Sequence, residues 1–145
     1  MQRVWMKFSA VVAFSCATLT LGCGGESDGP RVQVKGSVTY ADKPLKTGVV
    51  IFSPVGSTAD KPLPEARGEI DAQGNYELRS DDGKSGVPVG AYNVGVVSAV
   101  PSDPKNEYSV PKSVIPPKYN NPASSGIKLD IAEGAPSEKF QIKLR

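Results

Sequence analysis

The side chains of this chain that could do chemistry are a few carboxylates and two cysteines, because the sequence contains no histidine. The absence of histidine removes the usual general base, the usual partner of a nucleophilic serine and the commonest zinc ligand. The densest carboxylates are Asp81 and Asp82, which Asp71 or Ser80 could join in a calcium-binding loop. Their spacing lacks the regular alternation of such a loop, and the alternative is a solvated turn. We predict no catalytic residue, no metal site and no cofactor.

Cys23 stands where a covalent modification is the expected chemistry. Arg3 and Lys7 give the chain a basic start, and an almost uncharged apolar run follows as far as Gly22 and Cys23. A basic start before an apolar run shorter than the about 20 residues of a spanning helix is the layout of a signal peptide. The pattern predicts an exported protein with a signal peptide over residues 1–22.

The junction at Cys23 resembles the lipobox of bacterial lipoproteins, in which a small residue such as Gly22 precedes the cysteine. The resemblance implies that the Cys23 thiol receives a diacylglyceryl group and that the chain is cut on its N-terminal side. Cys16 is a competing candidate, but it lies within the apolar run, where a cut would leave too short an apolar segment. The alternative is an ordinary secretory signal that leaves Cys23 as a free thiol.

Removal of the signal peptide would leave a chain without net charge. Arg3 and Lys7 are two of the 17 basic residues, and all 15 acidic residues lie at or after Glu26. Phosphate binding needs a clustered basic excess, so this balance argues against nucleic acid as a partner. Residues 23–30 are polar and Gly-rich, which predicts a flexible tether between the lipid and the domain. Gly24 stands where, in some bacteria, an aspartate retains lipoproteins in the inner membrane, so we expect the outer membrane or the periplasmic face of the envelope.

Residues 31–145 are predicted to form an all-β domain. The whole chain has 15 Gly and 13 Pro, only 22% of its residues are charged, and no amphipathic helix spacing extends over more than two turns of this region. The segments with strand patterns are 34–40, 49–52, 66–70, 76–78, 91–100, 127–131 and 140–144. Seven short strands at this spacing indicate a β-sandwich.

Two glycine–tyrosine pairs mark predicted strand starts. Residues 71–75 have the composition of a hairpin turn, with Gly74 where the backbone takes a positive φ. Gly90 is expected to provide a similar positive φ or tight entry just before the strand predicted at 91–100. Tyr76 and Tyr92 each follow such a glycine by two residues, so we expect their rings to point inward and their hydroxyls to reach solvent or a backbone acceptor.

The predicted core comes from the alternating positions of these strands. The continuous apolar run 49–52 predicts a strand that is buried on both faces. The expected core residues are Val49, Ile51, Phe52, Ile70, Leu78, Val94, Val96, Ile127, Leu129, Phe140, Ile142 and Leu144.

Several segments occur in the order and spacing of carboxypeptidase-regulatory-like domains, which are similar in fold to transthyretin (prealbumin) and to the repeat B domains of bacterial surface adhesins. The segments are Gly36-Ser-Val-Thr-Tyr, Lys43-Pro-Leu, Gly48-Val-Val, Asp71-Ala-Gln-Gly-Asn-Tyr, Val87-Pro-Val-Gly-Ala-Tyr-Asn-Val, Ile115-Pro-Pro-Lys-Tyr and Ser125-Gly. From about residue 32 to 144 the chain resembles the single domain of small envelope lipoproteins. The resemblance implies a seven-stranded Greek-key sandwich without catalysis, since in the carboxypeptidases this domain does not carry the zinc.

Residues 101–124 are predicted to be irregular, because their prolines cannot enter a sheet interior. The stretch is longer than loops without a function usually are in a compact domain. One interpretation is that Ile115 and Tyr119 fold back over an open end or edge of the sandwich. The other is a contact surface for an envelope partner, and its candidate residues are Tyr108, Lys112, Lys118 and Tyr119.

The predicted function is therefore a lipid-anchored, non-catalytic binding or structural module of the cell envelope that contacts another protein through its loops. The alternative is a carbohydrate-binding sandwich, which usually needs exposed aromatic rings on a flat face. Once the signal peptide has been removed, the chain has no Trp, five Tyr and two Phe, and most of these are needed in the core.

Overall fold

A computed structural model describes residues 29–60, 62–106 and 108–145 of the chain. The predicted signal peptide, the predicted lipidation site Cys23 and residues 24–28 of the predicted tether lie outside the described residues. The described part is mostly β and contains no α-helix, so the all-β prediction is confirmed. None of the short helical turns within it is long and apolar enough to cross a membrane.

Short strands joined by tight turns make up the described chain. The strands are β1 Arg31–Val32, β2 Lys35–Tyr40, β3 Lys43–Pro44, β4 Val49–Pro54, β5 Ala66–Glu69, β6 Asn75–Glu77, β7 Arg79–Ser80, β8 Val87–Pro88, β9 Gly90–Val97, β10 Ala99–Pro101, β11 Pro111–Ser113, β12 Ile127–Ile131 and β13 Gln141–Leu144. Two 3-10 turns, Pro117–Asn120 and Ser137–Phe140, precede β12 and β13 respectively.

Two sheets carry most of these strands. The first has the order β12-β9-β4-β5-β7, and all of its neighbours are antiparallel. In the second sheet, β2 pairs with β13 along one edge and with β6 and β3 along the other. The pairing of β13 with β2 is parallel, so the last strand lies beside the first long one. Two separate two-stranded ladders join β1 to β8 and β10 to β11.

Side chains from both sheets share one hydrophobic core. The ring of Phe52, on the first sheet, lies 6.2 Å from the ring of Tyr76 on the second sheet and 5.9 Å from that of Tyr92. The Tyr76 hydroxyl donates a hydrogen bond to the carbonyl of Phe140 at 2.7 Å, and the Tyr92 hydroxyl donates to that of Pro88 at 2.9 Å. Burial raises the pKa of Tyr76, which keeps its phenol protonated as a donor. The inward orientation predicted for both rings is confirmed.

The prediction that the run 49–52 is buried on both faces is wrong. Val50 and Phe52 are fully buried, whereas Val49 and Ile51 are half-buried on the outer face of the sheet. The core therefore takes alternate residues of this strand, as in any sheet with a single covered face. The buried apolar residues are Val34, Val38, Leu45, Val50, Phe52, Ala66, Ile70, Tyr76, Leu78, Val87, Tyr92, Val94, Val96, Ile115, Tyr119, Ile131, Phe140, Ile142 and Leu144. Of the other predicted core residues, Ile127 and Leu129 are only partly buried against this cluster.

The predicted hairpin turn at 71–75 is confirmed, and Asp71 organises it. Its Oδ1 accepts hydrogen bonds from the backbone N–H groups of Gln73 at 2.9 Å and Asn75 at 2.8 Å, while Gly74 has a φ of 87°. The N–H of Asn75 is the main cause of the lowered pKa of Asp71. After the turn, β6 pairs with β2 and β7 pairs with β5, so this one segment connects the two sheets.

Candidate functional site

Strand β9 defines two opposite ends of the domain. At its start, the N–H of Val89 donates to the carbonyl of Pro30 at 3.0 Å, and β1 pairs with β8, so the described chain enters here. We call this the entry end. Eight extended residues cover about 26 Å, and at the far end of β9 the chain continues through Ser98 into β10. The β10–β11 ladder therefore projects from the end of the domain opposite to the chain entry.

Residues 99–113 form an arm at the far end. Its ladder pairs Ala99 with Ser113, Val100 with Lys112 and Pro101 with Pro111. The prediction that residues 101–124 are irregular is therefore wrong for β11. Proline has no N–H to donate, which explains why the ladder stops at the Pro101–Pro111 pair.

Ser98 joins the arm firmly to the domain. Its side chain is 1% exposed, and its hydroxyl donates to the carbonyl of Thr47 at 2.6 Å. The carbonyl of Ser98 accepts hydrogen bonds from the N–H of Val114 at 3.1 Å and from the hydroxyl of Ser113 at 3.3 Å. Both strands of the arm are thus attached to the domain at one buried residue.

Hydrogen bonds within the tip of the arm shape its turn. The Asp103 carboxylate accepts from the N–H of Lys105 at 2.9 Å, and the Asp103 carbonyl accepts from the N–H of Asn106 at 3.1 Å. The side-chain oxygen of Asn106 accepts a hydrogen bond from the N–H of Tyr108 at 3.0 Å. The backbone carbonyl of Asn106 accepts one from the N–H of Ser109 at 3.0 Å. Aspartate and asparagine side chains bonded in this way stabilise a defined turn. The tip therefore holds its apolar residues in a definite arrangement.

The arm carries most of the exposed large apolar side chains of the described residues. Tyr108 is 88% exposed and Val110 is 79% exposed, and Val100 is exposed on the ladder. The other two exposed apolar residues are Val97, which lies next to the arm, and Val55, which lies at the entry end. Contiguous exposed apolar patches are typical of interaction surfaces, so the arm is a candidate for one.

The structure separates the four residues predicted as a contact surface. Tyr108 and Lys112 are exposed on the arm, and Lys118 is exposed on the segment that returns from it. Tyr119 is 7% exposed and lies in the core, so its ring does not belong to the surface. Ile115 is also in the core, which is the arrangement that the fold-back interpretation expects of these two residues.

Tyr119 connects the return segment to the last strand. Its hydroxyl donates to the carbonyl of Arg145 at 2.9 Å and lies 3.2 Å from the N–H of the same residue. The N–H of Arg145 lowers the pKa of Tyr119, and Lys118, whose Nζ lies 4.7 Å from the ring centroid, lowers it further. Tyr119 thus has a structural role, and the arm retains Tyr108 and Lys112 as its predicted contact residues.

The carboxylates considered for calcium do not form one group. Asp71 caps its own turn after β5, whereas Asp81 and Asp82 follow β7 at the opposite end of that strand pair. Asp82 forms an ion pair with Arg31, and an Asp81 oxygen lies 3.2 Å from Nε of Arg67. Among the described residues no group of three or more acidic or cysteine side chains could hold a metal ion. The grouping of Asp71 with Asp82 is therefore wrong.

Asp82 is expected to make stability depend on pH. Burial alone would raise its pKa, but hydrogen bonds from the Arg31 side chain and from the N–H of Lys84 lower it to about 2. Because this pKa lies below the usual 3.8, the stabilisation is present above pH 3.8 and is lost as the pH falls towards 2. We expect Asp82→Asn to lower the urea midpoint at pH 6 and to match the wild-type protein near pH 2. Asp60→Asn, in an exposed loop, is the control, and an equal difference at both pH values would contradict the assignment.

An open cleft of about 490 Å³ lies beside β2 and β6. Three of its four charged side chains have partners: Lys35 lies 3.4 Å from the Glu77 carboxylate, and Asp71 caps its turn. Among the described residues that line the cleft, Tyr76 is the only aromatic one, and its ring is buried in the core. The cleft therefore offers no ring on which a sugar could stack, and the arm is the stronger candidate site.

No protein-family model, no curated protein and no solved structure matches this chain. The candidate site is therefore defined by the exposure and strand pairing of its residues in the structure. These include residues that the sequence pattern did not indicate. Ser98, Val100 and Val110 were not among the predicted site residues. The strand predicted over 91–100 already extended past Ser98, but nothing local marks its pairing with β11.

Proposed function

We propose that this protein is a lipid-anchored, non-catalytic binding module of the bacterial cell envelope, and that its arm contacts a protein partner. The observation that carries the proposal is the exposure of Tyr108 and Val110 on an arm attached to the domain through the buried Ser98. A surface that is ordered before binding loses less conformational entropy on association than a flexible loop. Aromatic side chains are also enriched among the residues that dominate binding energy.

The proposed anchor agrees with the position of the arm. A signal peptide over residues 1–22, lipidation at Cys23 and a tether over 23–30 would place the membrane beside the entry end. The arm lies at the other end of β9. An anchored domain could therefore present Tyr108 and Val110 away from the bilayer, towards other envelope proteins.

We propose further that residues 31–145 form a carboxypeptidase-regulatory-like domain with a seven-stranded Greek-key arrangement. The segments that carry the resemblance include both glycine–tyrosine pairs. In support, Tyr76 and Tyr92 pack against Phe52 between the two sheets and bond to backbone carbonyls. Such domains are modules that bind or support, and the chain lacks the histidine on which most hydrolytic sites depend.

The test of the binding function is the double variant Tyr108→Ser/Val110→Ser. Membranes from cells that express the protein are treated with a lysine-reactive crosslinker before they are dissolved in detergent, and the mass of the crosslinked complex is measured by denaturing electrophoresis. We expect the amount of the larger complex to be about tenfold lower in the variant than in the wild-type protein, because two exposed apolar contacts are removed. Its melting temperature should stay unchanged, since neither side chain packs in the core.

Val55→Ser is the matched control, because Val55 is an exposed apolar residue at the entry end. It should leave the larger complex intact. A double variant that retains the complex would contradict the proposal. Binding of the wild-type protein to a glycan array, abolished by Tyr108→Ser, would instead support the carbohydrate-binding alternative.

A further inference from the structure

The arm combines its exposed apolar residues with charges of both signs. Asp103, Lys105, Glu107 and Lys112 are its charged residues, so the arm as a whole is neutral. Anionic lipid headgroups attract segments with a basic excess, and a neutral arm does not provide one. Opposite charges on one surface do suit a contact with an identical surface. In a two-fold contact each group meets the group that complements it on the other copy.

The prolines of the arm restrict how a partner can bind. Pro101 and Pro111 pair at the outer end of the ladder, and neither has an N–H group to offer to an added strand. Prolines at such positions prevent sheets from growing edge to edge. A partner must therefore bind through the side chains of the arm, which favours a closed pair over a fibre.

We propose that the partner is a second copy of this chain and that two arms pack against each other about a two-fold axis. Tyr108 and Val110 form the apolar centre, and Lys112 of each copy faces Asp103 of the other. This proposal rests on the proposed function, which assigns the arm as the contact surface. A two-fold axis perpendicular to the membrane would keep both entry ends, and so both tethers, on the same side.

The size of the arm predicts a weak pair. Few large side chains are exposed on each copy, and two such arms bury less than the roughly 1,200 Å² of a standard specific interface. Attachment of both copies to one membrane would raise their effective concentration and favour pairing. We therefore expect dimers in the membrane and mostly monomers after dilution in detergent.

The experiment uses two full-length copies with different tags, expressed together. A photo-crosslinking residue replaces Tyr108 in one set of cells and Val55 in the control set, and the membranes are irradiated before extraction. We expect position 108 to give an adduct of twice the chain mass that carries both tags, and position 55 to give none. An adduct with one tag at another mass would overturn the second-copy proposal but support the proposed function. No adduct at position 108 above the level of position 55 would overturn both.

A charge exchange tests the two-fold geometry separately. Asp103→Lys alone and Lys112→Glu alone each place like charges together at two symmetric positions, and each should lower the two-tag adduct about fivefold. A mixture of one copy of each variant restores both attractive pairs and should recover the wild-type yield. Recovery would also show that Asp103→Lys has not destroyed the turn at the tip. A mixture that stays as low as the single variants would overturn the proposed packing.

Discussion

Replacement of Cys23 by serine is expected to move almost all of the protein from the membrane fraction to the soluble exported fraction. A serine hydroxyl does not form the thioether that would carry the diacylglyceryl group. Each buried CH₂ of an acyl chain contributes about 0.8 kcal/mol to membrane binding, so the loss of the chains removes the anchor. After the proposed cleavage the rest of the chain would have no net charge and would begin with the proposed polar tether, and neither would hold it at a bilayer.

Cys16→Ser is the matched control for this prediction. Cys16 lies in the apolar run of the predicted signal peptide, so its replacement should leave the protein in the membrane fraction. Mass spectrometry of the wild-type protein should show a chain that begins at Cys23 with acyl groups added. Retention of Cys23→Ser in the membrane, or release of Cys16→Ser, would contradict the proposed lipidation site.

Gly36→Ala is expected to cause the largest loss of stability among conservative changes on β2. A Cβ atom at Gly36 would lie 2.2 Å from the carbonyl oxygen of Phe140 and 2.6 Å from Cζ and Oη of Tyr76. Neither neighbour can move freely, because Tyr76 bonds to that carbonyl across the core and β13 is paired with β2. We expect a loss of about 3 kcal/mol, measured as a fall in melting temperature of roughly 10 °C.

Gly56→Ala provides the comparison. No atom lies within 4 Å of a Cβ at Gly56, but its φ is +86°, so alanine there causes only backbone strain of about 1 kcal/mol. Gly36→Ala should therefore unfold at a clearly lower temperature than Gly56→Ala. Equal melting temperatures for the two variants would mean that the Tyr76 ring does not pack against the backbone of Gly36.

The features that the sequence predicted correctly depend on local chemistry. The turn at 71–75 forms because the Asp71 side chain accepts hydrogen bonds from nearby backbone N–H groups and because a glycine with a positive φ follows it. Both are preferences of the residues within the turn itself. The strand starts at Tyr76 and Tyr92 follow from such glycines, and the rings turn inward because they are large and apolar. The absence of a helical apolar period likewise indicated an all-β chain.

Other features required the tertiary structure. The run 49–52 contains apolar residues at every position, so its pattern could not show that Val50 and Phe52, rather than Val49 and Ile51, face the core. The prolines of 101–124 suggested irregular chain, yet β11 pairs with β10 because Ser98 holds both strands. The burial of Tyr119 depends on a partner 26 residues away.

The sequence by itself thus determined the turn at 71–75 and the longer strands, because φ preferences and side-chain period are properties of neighbouring residues. It also carries the basis of the proposed anchor at Cys23. Only the tertiary structure decided which face of β4 is covered, that Asp71 and Asp82 lie apart, and that Tyr108 and Val110 project from one arm. Those outcomes depend on contacts between residues distant in sequence, and no local preference encodes the pairing of one strand with another.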